Sequence, residues 1–289
     1  MGRLDVKAGL GAPIAIVFSA MIWASPETLS AQWPPYPTAR VPRTPDGKPN
    51  LAAPAPRTAD GTPDLSGIWR VARGFGAPGL AGVGGAAGAP LLDGTLPPRA
   101  NQFWDIGYGL EGGLPFRPWA ADLVRKRIAD NGKDNPDAHC LPMGNMQFWT
   151  QGFPRKFVHT PKLLVVLYEA SAGLRQIYID GRPLPKPGDP QPYYYGYSSG
   201  HWEGDTLVVE SNNFRDDGWL DIVGTPTTDQ MKMTERFTRV SYGRMTIDIT
   251  VDDPKAFTKP WTVRHTQEIM PDADIIEFIC QENNHFAPR

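Results

Sequence analysis

The chain has 289 residues, 29 basic and 31 acidic side chains and a net charge of −2, so no whole-molecule field steers it toward nucleic acid or anionic lipid. Hydrophobic residues make up 40 % and charged ones 21 %, which permits a buried core and argues against general disorder. Two cysteines exclude a disulfide-dense mini-scaffold and a four-thiolate zinc site, and 30 Gly with 31 Pro favour strands and loops over a helical bundle.

Residues 1–31 read as a secretory signal peptide. Arg3 and Lys7 precede an apolar run from Ala8 to Ala24, and Ala31 before Gln32 supplies a cleavage point. The alternative is a membrane anchor. That run of about 17 residues is shorter than the ~20 a spanning helix needs, and Pro13 interrupts it. The expectation is a periplasmic or extracellular protein that leaves the membrane once the leader is cut.

Residues 32–118 hold 15 Pro and 15 Gly, which deprive ladders of donors and raise the entropic cost of order. Residues 32–62 read as a Pro-rich linker, and 63–289 as a single β-rich domain. A repeat runs Pro42-Arg43-Thr44-Pro45-Asp46-Gly47 and again Pro56-Arg57-Thr58-Ala59-Asp60-Gly61, with Asp-Gly turn pairs. Residues 66–71 read as a first strand and 77–89 as a Gly/Ala-rich loop. Residues 118–131 predict a helix with Pro118 in its first turn, an apolar stripe of Trp119, Leu123 and Ile128, and Gly132 at its end.

Over 156–280 the period changes to two. Strands are expected near 156–159, 163–169, 174–179, 193–202, 206–211, 231–240, 245–252, 261–270 and 275–280, separated by turn dipeptides. No helical pattern intervenes, so successive strands should be antiparallel neighbours in a meander. The fold class is mainly β: an antiparallel lipocalin-like barrel or strongly curved sheet, with a β-sandwich as the alternative. Cys140 and Cys280 in an oxidising compartment predict a disulfide that joins the segment before the meander to its last strand.

Candidate site residues are those that break a strand's own alternation. Glu235 lies between Met233 and Phe237, His265 and Gln267 follow Trp261 and Val263, and Arg175 shares a face with Ile177. Tyr195, Tyr197 and His201 share parity in the tyrosine-rich strand. An unpaired buried charge costs several kcal/mol, so Arg175, Glu235 and His265 must meet one another or line a wet cavity. A carboxylate, an imidazole and a guanidinium together can move a proton and hold an oxyanion, which makes Glu235, His265 and Arg175 the candidate catalytic set. Tyr195, Tyr197, His201, Gln267 and Trp261 are the candidate substrate-binding residues. The five histidines lack HxH or HExxH spacing, and no nucleotide or haem motif is present, so neither metal nor cofactor is assigned.

The stretches Leu174–Pro183, Gly200–Val209, Thr234–Phe237 and Cys280–Asn283, with Pro63–Trp69 in front, resemble a large uncharacterised family of secreted bacterial proteins with a WEGDTLVV-like motif. The resemblance implies secretion and assigns no reaction. Gly67-Ile68-Trp69 is similar to the opening of lipocalin-like barrels, which implies the same fold. Three functions stay open. One is cofactor-independent lyase, isomerase or hydrolase chemistry on a small apolar or aromatic molecule. A second is a periplasmic carrier of a hydrophobic small molecule. The third is a structural or interaction module whose barrel is filled by its own side chains.

Overall fold

The computed structural model describes residues 38–72, 105–107, 110–142, 144–170, 173–189 and 191–280. The chain divides into Met1–Pro35 and Tyr36–Arg289, and all of these residues belong to the second unit. The expected leader at 1–31 and the loop at 77–89 lie outside them.

Nine strands close into one barrel: β1 Gly67–Val71, β2 Arg155–Thr160, β3 Leu163–Tyr168, β4 Gly173–Tyr178, β5 Tyr197–Glu203, β6 Thr206–Asn212, β7 Lys232–Arg239, β8 Arg244–Asp252 and β9 Trp261–Ile269. Closure comes from the pairing of Trp69 with Ile269 and of Val71 with Gln267, so a barrel and not a sandwich is formed. β8 shows why the strands form. Met245, Ile247, Ile249 and Val251 face the core, whereas Thr246, Asp248 and Thr250 alternate outward.

One neighbour relation departs from expectation. β4 and β5 pair parallel, through Ile177 with Ser198 and Tyr178 with Ser199. The connecting segment contains Pro183, Pro185, Pro187, Pro190 and Pro192, which cannot donate to a ladder. It therefore crosses outside the barrel instead of turning back as a hairpin. Residues 275–280 are not a strand; Cys280 is tied to Cys140 by a disulfide, and Phe278 lies against Phe153 at 5.3 Å.

Among the described residues two α-helices accompany the barrel, α1 Pro118–Ala129 and the one-turn α2 Gln147–Thr150. α1 buries Ala120 and Val124 instead of the expected stripe, while Trp119 is 44 % exposed and donates its indole N–H to the Lys255 carbonyl at 2.7 Å. Small side chains let the helix sit close. Among the described residues no helix is long and apolar enough to cross a membrane.

Both copies of the N-terminal repeat fold alike. Asn50 N–H donates to the Pro42 carbonyl at 2.7 Å and Asp64 N–H to the Pro56 carbonyl at 2.9 Å. Arg43 and Arg57 brace their own turns through the Gly47 and Gly61 carbonyls, then reach the barrel domain at Asp272 and Asp205. The arm lies on the end of the barrel that carries the β7–β8 turn, where Tyr242 N–H donates to Ala53 and Gly243 N–H to Leu51. Arg239 completes that end. Its guanidinium donates to the Asp64, Ser66 and Tyr242 carbonyls and sits 4.8 Å over the Trp69 ring.

Candidate functional site

The opposite end of the barrel receives α2. Gly144 sets its entry. Its N–H donates to the Trp219 carbonyl at 3.0 Å, and a Cβ there would lie 2.5 Å from that same oxygen. α2 packs on β1 and β9 and sends Trp149 into the barrel. The indole is fully buried, edge-on to Phe157 at 6.0 Å and Phe237 at 5.5 Å. Burying a tryptophan removes roughly 150–250 Å², which at about 25 cal/mol per Å² favours the inserted state by about 4–6 kcal/mol.

At mid-height the indole N–H donates to Glu235 Oε1 at 2.6 Å. Arg175 takes the rest of that carboxylate, with Nη1 on Oε1 at 3.0 Å and Nη2 on Oε2. Glu235 is 0 % and Arg175 1 % exposed. The guanidinium also donates to Ser198 Oγ and Ser211 Oγ, from Nη2 at 3.0 and 3.1 Å. These bonds stitch the parallel β4–β5 seam, where only two residue pairs are in register. A buried charge pair is tolerable when its remaining donors and acceptors are also satisfied, as they are here.

A second buried arginine organises the space nearer α2. Arg155 Nη1 donates to Gln267 Oε1 at 2.6 Å, and Nη2 donates to the Gln151 and Phe153 carbonyls. Gln267 Nε2 donates to the Trp149 carbonyl at 3.0 Å, and Tyr168 donates its hydroxyl hydrogen to Gln151 Oε1. Burial lowers the Arg155 pKa to about 10. His265 lies two residues before Gln267 on the inner face; burial, with the Arg155 charge added, lowers its pKa to about 4, so it is neutral at pH 7. Its Nε2 has no hydrogen-bond partner among the described residues.

The structure thus joins Arg175 to Glu235 and leaves His265 beside a different arginine. Gln267 belongs to the Arg155 network, and Trp261 is buried edge-on to Phe257 at 5.4 Å. Tyr195 packs edge-on to Phe148 at 4.4 Å, and burial pushes its hydroxyl pKa upward. Tyr197 and His201 do not share its face. Gly196 takes φ +70, where a Cβ would lie 2.5 Å from the Phe214 ring, and this kink ends the expected run. β5 starts after it with Ser198 and Gly200 inward. Tyr197 stacks on Tyr178 at 5.3 Å outside, and exposed His201 approaches Glu203 at 3.3 Å.

Trp149, Arg155, Ser198 and Ser211 are part of these networks and are not among the candidate residues chosen from the sequence. Arg155 shares parity with Phe157, a usable signal had the strand been started one residue earlier. Trp149 sits in a single helical turn and has no periodicity to read. Among the described residues no three His, Cys, Asp or Glu side chains come together as a metal-binding set. No protein-family model matches the chain, and neither does any curated protein or solved structure in the comparisons.

Proposed function

We propose that this protein is a secreted interaction module: a rigid barrel, filled by its own side chains, that does its binding on its outer surface. The observation that carries this reading is the plug. Trp149 occupies the barrel at mid-height, and both oxygens of Glu235 are taken up by its indole and by Arg175. A carboxylate that accepts three hydrogen bonds from buried side chains, with no solvent access, is held as their counter-ion, and a carrier needs volume that the aromatic side chains here occupy. Secretion is supported by the Cys140–Cys280 disulfide and by the apolar run at 8–24.

The acid/base alternative has one feature in its favour, the buried neutral imidazole of His265 with an unpartnered Nε2. Catalysis by Glu235, His265 and Arg175 on a small apolar or aromatic molecule requires α2 to withdraw first. A panel of apolar fluorescent probes separates the readings. The module should leave every probe in solution. Stoichiometric, saturable uptake by the wild-type chain would restore the carrier or the enzyme.

A further inference from the structure

The segment that crosses from β4 to β5 does not lie flat on the barrel. With the outer face of β6–β8 it encloses a groove of about 360 Å³, roofed by Leu184 and Pro187 and floored by Glu210, Asn212, Lys232 and Asp252. The roof is pinned. Asn212 Nδ2 donates to the Pro185 carbonyl at 2.8 Å, Asn213 Nδ2 donates to the Asp189 carbonyl at 2.8 Å, and Gly188 N–H donates to Asn213 Oδ1 at 2.9 Å. The groove is therefore built into the fold.

Its charges differ from those beside it. Four register positions from the Lys232–Asp252 row, Arg236 is paired with Glu203 and Asp248 with Arg264. Register also sets Lys232 opposite Asp252, and Glu210 opposite Thr234. The exposed side chains of Lys232, Glu210 and Asp252 make no hydrogen bond or ion pair among the described residues. Two carboxylates and one ammonium, none with a protein partner among the described residues, line a single cleft under the apolar roof of Leu184 and Pro187. A ligand that satisfies all three has two cationic groups, one carboxylate and a short apolar stem. The volume lies at the low end of the ~300–1,000 Å³ typical of small-molecule sites, which suits roughly ten heavy atoms.

We infer that the groove is a binding site for a free basic amino acid. Lys232 holds the α-carboxylate, Glu210 and Asp252 hold the α-ammonium and the side-chain cation, and the methylene stem lies under Leu184 and Pro187. This rests on the outer-surface reading above and supplies its ligand.

The experiment is titration calorimetry of the full chain at low ionic strength. L-Arginine or L-lysine should bind one to one with a Kd of about 0.1–1 mM, and L-leucine, L-glutamate and Nα-acetyl-arginine at least tenfold more weakly. Glu210→Gln and Asp252→Asn should each weaken arginine binding at least tenfold. Lys232→Met should weaken arginine but spare agmatine, which lacks the carboxylate. These side chains are outward, and unchanged circular dichroism confirms that the variants fold. No heat from either amino acid at ~10 mM, or binding that all three variants retain, overturns the site. An inert groove with a sealed interior refutes this assignment alone, whereas apolar uptake by the interior refutes the reading beneath it.

Discussion

Removing the guanidinium that faces Glu235 tests the interior most sharply. In Arg175→Met the carboxylate keeps only the Trp149 indole donor, at a position with no solvent access. Stranding one member of a buried pair costs about 3–5 kcal/mol, because an uncompensated charge stays in a low-dielectric site. For a domain of this size about 1 kcal/mol corresponds to ~2–4 °C, so Tm should fall by roughly 6–20 °C. The double variant Arg175→Met/Glu235→Leu removes both charges and should recover most of that loss, since buried pairs often replace well with apolar groups. Urea unfolding followed by tryptophan fluorescence reads the full cycle. A single-variant loss below about 1 kcal/mol, or no recovery in the double, means that Glu235 is solvated and that the interior is wet, and the reasoning fails.

Further consequences concern pH, the disulfide and the N-terminal arm. His265 falls from 6.5 to about 4 on folding, so the unfolded chain binds more protons between those values. That contribution, at most about 3 kcal/mol, is full above pH 6.5 and lost as pH falls toward 4. Asp221 is the opposite case. Burial raises it from 3.8 to about 7, so its contribution is full below 3.8 and lost as pH rises through 7. His265→Leu should therefore leave a stability profile that declines from pH 4 to 7, and Asp221→Asn one that rises from 4 to 6.5; parallel profiles for the two contradict the assignment. Cys140→Ser/Cys280→Ser opens a link 140 residues apart in sequence and should cost about 4–5 kcal/mol in the chain-entropy model; an unchanged Tm would show that the native state does not depend on it. Arg57→Ala breaks an exposed bridge to Asp205 and should cost under ~1 kcal/mol, whereas Arg239→Met strips the Asp64, Ser66 and Tyr242 carbonyls of their donor and should cost over ~2 kcal/mol; equal losses in thermal melts would contradict this ranking.

What the sequence made legible followed from local alternation. The odd positions of β8 announced a core face, and the breaks at Arg175 and Glu235 marked real buried charges. That these two pair with each other and leave His265 to Arg155 was not legible, because strand alternation says which way a side chain points and not what lies across a barrel. Trp149 was hidden for a related reason: one helical turn carries no period, and its place inside the barrel is set by Gly144 against Trp219. The face of Tyr197 and His201 followed from assuming an unbroken strand, when Gly196 within it was the sign of a kink. In α1 bulk misled: the largest apolar side chain, Trp119, sits outside, and Ala120 and Val124 make the contact. The parallel β4–β5 seam had a visible cause in the five prolines of its connection, where the expectation was a turn between antiparallel neighbours.

The central claim is that the barrel is filled by Trp149 and closed to other molecules. Trp149→Gly should cost about 3–5 kcal/mol and leave a cavity lined by Phe157, Phe237 and the Glu235 carboxylate. Indole has the shape and the N–H to refill it. The account predicts that indole binds Trp149→Gly one to one, raises its Tm toward that of the wild type, and does not bind the wild-type chain at all. Indole binding to the wild type with the same affinity, or no rescue of the variant, would contradict it.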